Sequence, residues 1–281
     1  MKVVKYSGNI VDFDQYKLKK SLLKSGASLV VVDDILNIIQ SQIYDGIPTK
    51  KIYKMAFGLL KKASNSHAAR YNLRTAIQLL GPDGFFFEKY IARLFYSENY
   101  ETRINLILNG KCVSHEIDVA VKKDDEIAMI ECKFHGRRDA VSDVKVPMYI
   151  LSRFNDLKDK KHFIFTRNDT ISKCWIVTNN RFTSDATVFG NCIGINLLSW
   201  DYPKKNNLRN KIDSQQLYPV TCMTTLSIAE KDKLLILDII LASEIKNNIE
   251  SLERIGLSQN RIKNVLKEVS ELCNIYKNHE S

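Results

Sequence analysis

Residues 115–121 and 127–134 are apolar at most positions, and the polar run Lys122-Lys123-Asp124-Asp125-Glu126 separates them. Two β-rich runs around a short polar joint predict a hairpin. Side chains alternate across a strand, so Glu131 and Lys133, two positions apart, project from one face. The apolar run Cys174-Trp175-Ile176-Val177-Thr178 predicts a further strand. Between them Lys145, Tyr149 and Arg153 recur every four residues, a spacing that puts them on one face of a helix. Proline is tolerated in a first helical turn, so Pro147 places the start of that helix near residues 142–146.

Toward the C-terminus, apolar periodicity predicts helices over about 228–252 and 258–276. Ser227 and Ser258 are suited to cap them, with Arg254-Ile255-Gly256-Leu257-Ser258 as the turn between. Two glycines and a proline in Gly81-Pro82-Asp83-Gly84 end a helical run over residues 70–80. A second break falls at Asp201-Tyr202-Pro203-Lys204-Lys205-Asn206-Asn207. The expected segments are therefore 1–81, 82–205 and 206–281, which a chain of 281 residues accommodates.

Asp118 and Glu131 stand among apolar neighbours in the two hairpin strands. A carboxylate in such a place is costly unless it is paired or coordinates a metal. Hydrolysis of a phosphodiester requires a divalent cation to activate water and a positive group near the scissile phosphate. Asp118 and Glu131 can hold Mg²⁺, and Lys133 can supply the charge. Spacing alone leaves a second account open, in which the same residues form edge-strand salt bridges.

The stretch running from Gly84-Phe85-Phe86-Phe87-Glu88 through His115-Glu116-Ile117-Asp118 to Ile130-Glu131-Cys132-Lys133-Phe134-His135 resembles the Mrr-type restriction-endonuclease domains of the PD-(D/E)xK nuclease superfamily. That resemblance implies a mixed sheet flanked by helices, DNA as substrate and dependence on Mg²⁺ or Mn²⁺. It also implies Asp118 and Glu131 as metal ligands, Glu88 as a supporting ligand from the first helix, and Lys133 as the catalytic cation. Asn179-Asn180-Arg181-Phe182-Thr183 looks like the later core strand and loop of that family, with no catalytic assignment. Many Mrr-like domains carry a Gln in the helix after the catalytic strand, where this chain offers Asp143, Lys145, Tyr149 and Arg153. Lys145, Tyr149 and Arg153 are then either contacts to the DNA backbone or the metal-site phosphate, or a solvated helix face.

At the other end, Val4-Lys5-Tyr6-Ser7-Gly8, Val11-Asp12-Phe13-Asp14, Lys17-Leu18-Lys19-Lys20-Ser21-Leu22, Tyr44-Asp45-Gly46-Ile47-Pro48-Thr49 and Ala68-Ala69-Arg70-Tyr71 resemble the ATP-cone domain. This implies four helices behind a short hairpin, binding ATP or dATP as an effector. Lys5, Lys17 and Thr49 are the implied phosphate and sugar contacts, with Arg70 and Tyr53 as further candidates. Tyr6 stands where many relatives carry a second basic residue.

Charge adds to this picture. Residues 1–81 contain 13 basic and 5 acidic residues, against 19 and 17 in 82–205 and 10 and 10 in 206–281. The basic excess thus falls on the N-terminal segment, where a triphosphate or DNA would exploit it. The neutral C-terminal helices fit packing or dimerisation, or a helix-turn-helix on the DNA backbone.

The expected architecture is multidomain, α/β and α+β: a helical ATP-cone with a short hairpin, a mixed-sheet restriction-endonuclease-like fold, and a C-terminal helical segment. Residues 234–242 are the longest membrane candidate, and Asp238 interrupts them. Without an apolar leader the expected location is cytoplasmic. The six cysteines lack the close pairing of a zinc site, and Cys132 points to the sheet face opposite Glu131 and Lys133. No Gly-rich lysine loop prepares a γ-phosphate for attack. The expected function is a Mg²⁺-dependent DNA endonuclease, dimeric because cutting two strands takes two sites, and regulated by ATP or dATP. The competing expectation is a nucleotide-responsive DNA-binding regulator that does not cleave.

Overall fold

A computed structural model describes residues 1–5 and 7–273. Tyr6 and the end of the last predicted helix, beyond residue 273, lie outside the described residues. By contact the chain divides into two compact units, residues 1–76 with 218–281, and residues 77–217.

The first unit begins with β1 (Lys2–Val4) and β2 (Ile10–Asp12), an antiparallel pair with Val3 opposite Val11. Gly8, at φ +83°, allows the left-handed turn between them. Helix α1 (Gln15–Leu23) follows, capped by the Asp14 carboxylate, which accepts the Lys17 N–H at 3.0 Å. Next come α2 (Leu29–Gln42), the two-residue β3 (Ile47–Pro48) lying parallel to β1, then α3 (Thr49–Ala63) and α4 (Asn65–Tyr71). Val32, Ile35 and Ile39 of α2 and Ile52, Ala56 and Leu60 of α3 recur at helical spacing and form the buried stripes of this core with Val3 and Ile47. The run over 70–80 is two helices rather than one: α4 ends at Asn72, whose N–H bonds to the Ala68 carbonyl, and α5 (Leu73–Gln78) starts afresh.

The second unit opens with α6 (Phe85–Ser97), entered through Gly84 at φ +87°. Its sheet has five strands in the order β10-β8-β6-β5-β4. The strands β4 (Glu101–Asn109), β5 (Ser114–Lys123) and β6 (Glu126–Lys133) form an antiparallel meander, with Lys123 opposite Glu126 across a turn at Asp124 (φ +53°). A minor strand β7 (Val141–Ser142) leads into α7 (Lys145–Leu157), where Pro147 sits in the first turn as its chemistry demands. Strand β8 (Lys173–Thr178) returns parallel to β6, and β9 (Arg181–Phe182) pairs with β7. Helix α8 (Ser184–Cys192) then crosses to β10 (Asn196–Leu198), parallel to β8, and α9 (Leu208–Gln215) closes the unit.

Strand β6 is the centre of this sheet, so Ile127, Ala128, Met129 and Ile130 are all buried, the continuous apolar run of a strand covered on both faces. On one face α6 packs Phe87 against Phe134 and Phe95 against Trp175, at 5.7 and 5.5 Å between ring centroids. On the other, Ile150 and Leu157 of α7 join Met129, Cys174 and Ile176. Each fully buried side chain of this size contributes about 1.5–3 kcal/mol.

The C-terminal stretch differs from the expectation of one helix over 228–252. It is broken into α10 (Ile228–Ile236), a 3₁₀ turn at Ala242–Asn247 and α11 (Glu250–Arg254), before α12 (Gln259–Cys273). Asp238 adopts φ +62° just past α10, where its N–H bonds to the Leu235 carbonyl and the Ile239 N–H to that of Leu234. These are the two reverse bonds that stop a helix with a left-handed residue, a role Asp fills less readily than Gly and so hard to read from sequence. The Ser227 cap is present as a full capping box with Glu230. Helix α9, within the expected 206–281 segment, clusters with the second unit, and residues from Tyr218 onward cluster with the first.

Candidate active site and nucleotide cavity

The β5–β6 register pairs Val119 with Ile130, so Asp118 and Glu131 stand at its next position. The Asp118 carboxylate accepts the Cys132 N–H at 2.7 Å, which locks the acid to the neighbouring strand. Glu131 is buried (5% exposed), and both of its oxygens are engaged: Oε1 by Lys133 Nζ at 2.6 Å, Oε2 by Arg153 Nη1 at 2.5 Å. Lys133 thus lies on the same side as Glu131, as their alternation requires.

Glu88 reaches this region from the first turn of α6. Its placement depends on a close approach of backbone to side chain: a Cβ on Gly81 would stand 2.3 Å from the Phe134 ring. Only a glycine lets the entry to α6 press against the residue that follows Lys133.

The acids feel one another. Burial, then the Glu131 charge, push the Asp118 carboxyl up to about 7, with Glu88 adding to the rise and the Cys132 N–H and Lys133 opposing it. Glu88 is raised in turn by burial, Glu116 and Glu131. Mutually repelling oxygen donors are what a hard divalent cation relieves, so the donor chemistry fits Mg²⁺ or Mn²⁺. Among the described residues no three His, Cys, Asp or Glu side chains are drawn together closely enough to hold a metal as they stand. Glu131 is instead neutralised by the two cations of its own chain.

The helix-face candidates separate. Lys145 and Tyr149 are exposed on α7, but Arg153 turns inward, donating to Glu131 and to the Glu116 carbonyl at 3.1 Å. Tyr149 supports it through its hydroxyl at 3.3 Å and its ring at 5.2 Å from the guanidinium. Arg153 thus sits at the Glu131 carboxylate rather than on the exposed face that Lys145 and Tyr149 share.

Sequence reasoning gave no task to the two asparagines after β8. Asn179 accepts the His135 N–H and donates to the His135 carbonyl, both at 2.8 Å, copying the pairing of a missing strand. Asn180 donates to the carbonyls of Arg137 and Ala140 at 2.6 and 2.9 Å. Together they shape the loop that directly follows Lys133. Adjacent buried asparagines at a strand end were the available signal, because such amides rarely go inside without backbone partners.

In the first unit a cavity of about 720 Å³ is lined by Lys5, Lys17, Thr49 and Tyr53, with Phe13 and Tyr71 among its apolar walls. Thr49 opens α3, whose first turn has no side-chain cap, leaving N–H groups that favour an anion. Lys17 is exposed and pairs loosely with Asp14 at 3.2 Å. Tyr53 and Tyr71 stack at 4.9 Å and 16°. Arg70 does not join the cavity lining. It is buried (5% exposed) and donates to the Tyr218 hydroxyl at 3.2 Å and to the Leu272 carbonyl at 2.6 Å, so its guanidinium is engaged away from the cavity lining.

Comparison with known proteins divides the chain in three. Residues 1–76 match the ATP cone domain, residues 79–202 the restriction endonuclease family of the Mrr catalytic type, and residues 218–273 the family described as AF1548-like, C-terminal. An uncharacterized protein from Archaeoglobus fulgidus is 33% identical over 183 residues, 65% of this chain and 99% of that protein. A solved structure described as a protein of unknown function, AF1548, shares 32% identity over 67% of this chain and 97% of that chain, with a TM-score of 0.56.

Proposed function

Because the chain belongs to the AF1548-like family and joins an ATP cone domain to an Mrr-type restriction endonuclease domain, we propose that it is a metal-dependent DNA endonuclease whose activity responds to ATP or dATP. The observation that carries the reading is the joint presence of Glu88, Asp118, Glu131 and Lys133 around the end of β6, with Asp118 raised to about 7 by burial and then by its acidic neighbours. Such perturbation marks groups arranged for chemistry more often than for stability.

Asp118, Glu131 and Glu88 would hold Mg²⁺ or Mn²⁺, which supplies an activated water and screens the phosphate oxygens when bound. Lys133 places a positive charge where the scissile phosphate gains charge. Asn179 and Asn180 hold the following loop so that Lys133 keeps its position. Lys145 and Tyr149 are exposed on α7 and would contact the DNA backbone. Two copies of the chain, each with one such site, would cut both strands. In the first unit Lys5, Lys17, Thr49 and Tyr53 would hold the nucleotide, acting as an effector rather than a fuel. No helix among the described residues is long and apolar enough to cross a membrane.

The test is purified full-length protein on supercoiled and linear DNA with Mg²⁺, Mn²⁺ or EDTA, each with and without ATP or dATP. Cleavage that needs the metal and changes with nucleotide is the expected result. Nucleotide-dependent DNA binding with no cleavage under any metal would replace this reading with that of a regulator.

A further inference from the structure

Arg70 lies beside the nucleotide cavity without facing it. Its Nη2 donates to the carbonyls of Leu272 and Glu271 in α12, at 2.6 and 3.2 Å. Its Nε donates to the Tyr218 hydroxyl, and its guanidinium sits 5.4 Å from the centre of that ring. A guanidinium that donates to two backbone carbonyls makes charge-assisted hydrogen bonds, roughly twice as strong as neutral ones. Gly26 leaves room for this guanidinium, since a Cβ there would stand 3.2 Å from Nη1.

The residues that follow face the other way. Tyr71 lines the cavity and stacks on Tyr53, which lines it too. The Tyr53 hydroxyl donates to the Asn72 side chain at 2.6 Å. Residues 70, 71 and 72 therefore form one short rigid segment at the end of α4, with one side chain gripping α12 and the next two tied to the cavity wall.

We infer that Arg70 is a positioning residue that couples occupancy of the nucleotide cavity to the Glu271–Leu272 backbone of α12. This rests on the nucleotide reading of the cavity. A nucleoside triphosphate that fixes the Tyr53–Tyr71 wall fixes the α4 terminus, and Arg70 carries that constraint to the α12 carbonyls. An effector acts only through contacts that differ between two states, and this grip is the contact that differs. It makes the C-terminal segment, rather than the cavity wall alone, the part of the first unit that reports nucleotide.

Hydrogen exchange on the full chain tests it, comparing no nucleotide with saturating ATP for wild type, Arg70→Met, Arg70→Lys and Tyr218→Phe. Saturation keeps changes in affinity out of the comparison. In wild type, ATP is expected to slow exchange both around β1 and the start of α3 and in residues 266–273. In Arg70→Met the cavity response remains and the α12 response is lost, while Arg70→Lys and Tyr218→Phe retain part of it. If Arg70→Met fails to fold, a wild-type α12 response that Tyr218→Phe and Arg70→Lys diminish supports the inference, and one they leave intact overturns it. Wild type that protects its cavity but not α12, or Arg70→Met that still protects α12, overturns the coupling while leaving nucleotide binding in place. No protection anywhere overturns the nucleotide reading and the coupling together.

Discussion

Arg153 reaches from the third turn of α7 to Glu131 Oε2 at 2.5 Å, while the opposite oxygen of the same carboxylate is held by Lys133. Two cations on one buried acid neutralise it without a metal, and they also define what a metal must compete with. A divalent ion taking Glu131 as a ligand has to share its carboxylate with Arg153 and Lys133 or displace them.

Removing Arg153 isolates that pairing. With side-chain exposures of 6% for Glu131 and 14% for Arg153, the pair is largely withdrawn from water. Truncating Arg153 removes a charge-assisted hydrogen bond worth about 1.5–3 kcal/mol while Lys133 still pairs with the carboxylate, whereas replacing both Glu131 and Arg153 by apolar groups of similar volume is closer to neutral. Urea unfolding should therefore find Arg153→Met destabilised and the double variant Glu131→Met, Arg153→Met nearer to wild type. Equal stability of wild type and the single variant would show that the contact is not formed in solution.

The acids and the lysine should separate by role. Asp118→Ala and Glu131→Ala are expected to lose divalent-ion binding and DNA cleavage together. Lys133→Ala should retain the ion and lose cleavage by about 10²–10³-fold, as removal of a transition-state charge partner does. Calorimetry with Mn²⁺ beside a cleavage assay reads both, and unchanged cleavage in Glu131→Ala would end the assignment of this site.

Asp118 sets a pH dependence whose sign follows from its raised pKa. The carboxyl titrates near 7 in the folded protein against about 3.9 in an unfolded chain, so the folded state binds the extra proton between those values. Its contribution to stability is therefore lost as pH rises from about 4 to about 7 and is flat above that. Metal binding runs the other way, strengthening up to about pH 7 with release of a proton. Asp118→Asn should flatten the stability profile over this window, and a wild-type profile that rises there instead, relative to Asp118→Asn, contradicts the buried, repelled carboxyl.

Asn179 offers a test of the loop after Lys133. Asn179→Ala leaves both polar groups of the His135 backbone without their partner, which costs about 1–3 kcal/mol where water cannot replace it. Cleavage should fall while Mn²⁺ affinity holds, because the proposed metal ligands lie on β5, β6 and α6 rather than on this loop.

For the nucleotide, the double variant Lys5→Ala, Lys17→Ala is expected to bind ATP and dATP more weakly than wild type. ATP should not be turned over by either protein. Ordinary allosteric coupling is about 1–3 kcal/mol, so the effect of nucleotide on wild-type cleavage or assembly should be roughly five- to a hundred-fold. Brisk hydrolysis of ATP without DNA would contradict the effector role.

Local sequence determined much of this protein. The β5–β6 hairpin follows from two apolar runs around Asp124 and Asp125, and the start of α7 from Pro147, because period and backbone restriction act within a few residues. The same holds for the Ser227 cap and for the glycine-proline break before α6. What the sequence left undecided was where charged side chains point and which distant segments share a core. Lys145, Tyr149 and Arg153 repeat identically whether they meet DNA or a carboxylate, and only the packing of α7 beside β6 turned Arg153 onto Glu131. Arg70 sits in a motif segment beside Tyr71, yet the approach of α12, some 200 positions away, drew it from the cavity to the Leu272 carbonyl. Residues 218–273 cluster with residues 1–76 across the whole intervening unit, a choice made by burial of surfaces that no local pattern pairs. Backbone preferences are short-ranged and can be read in order, but a buried charge takes whatever partner the tertiary structure brings to it.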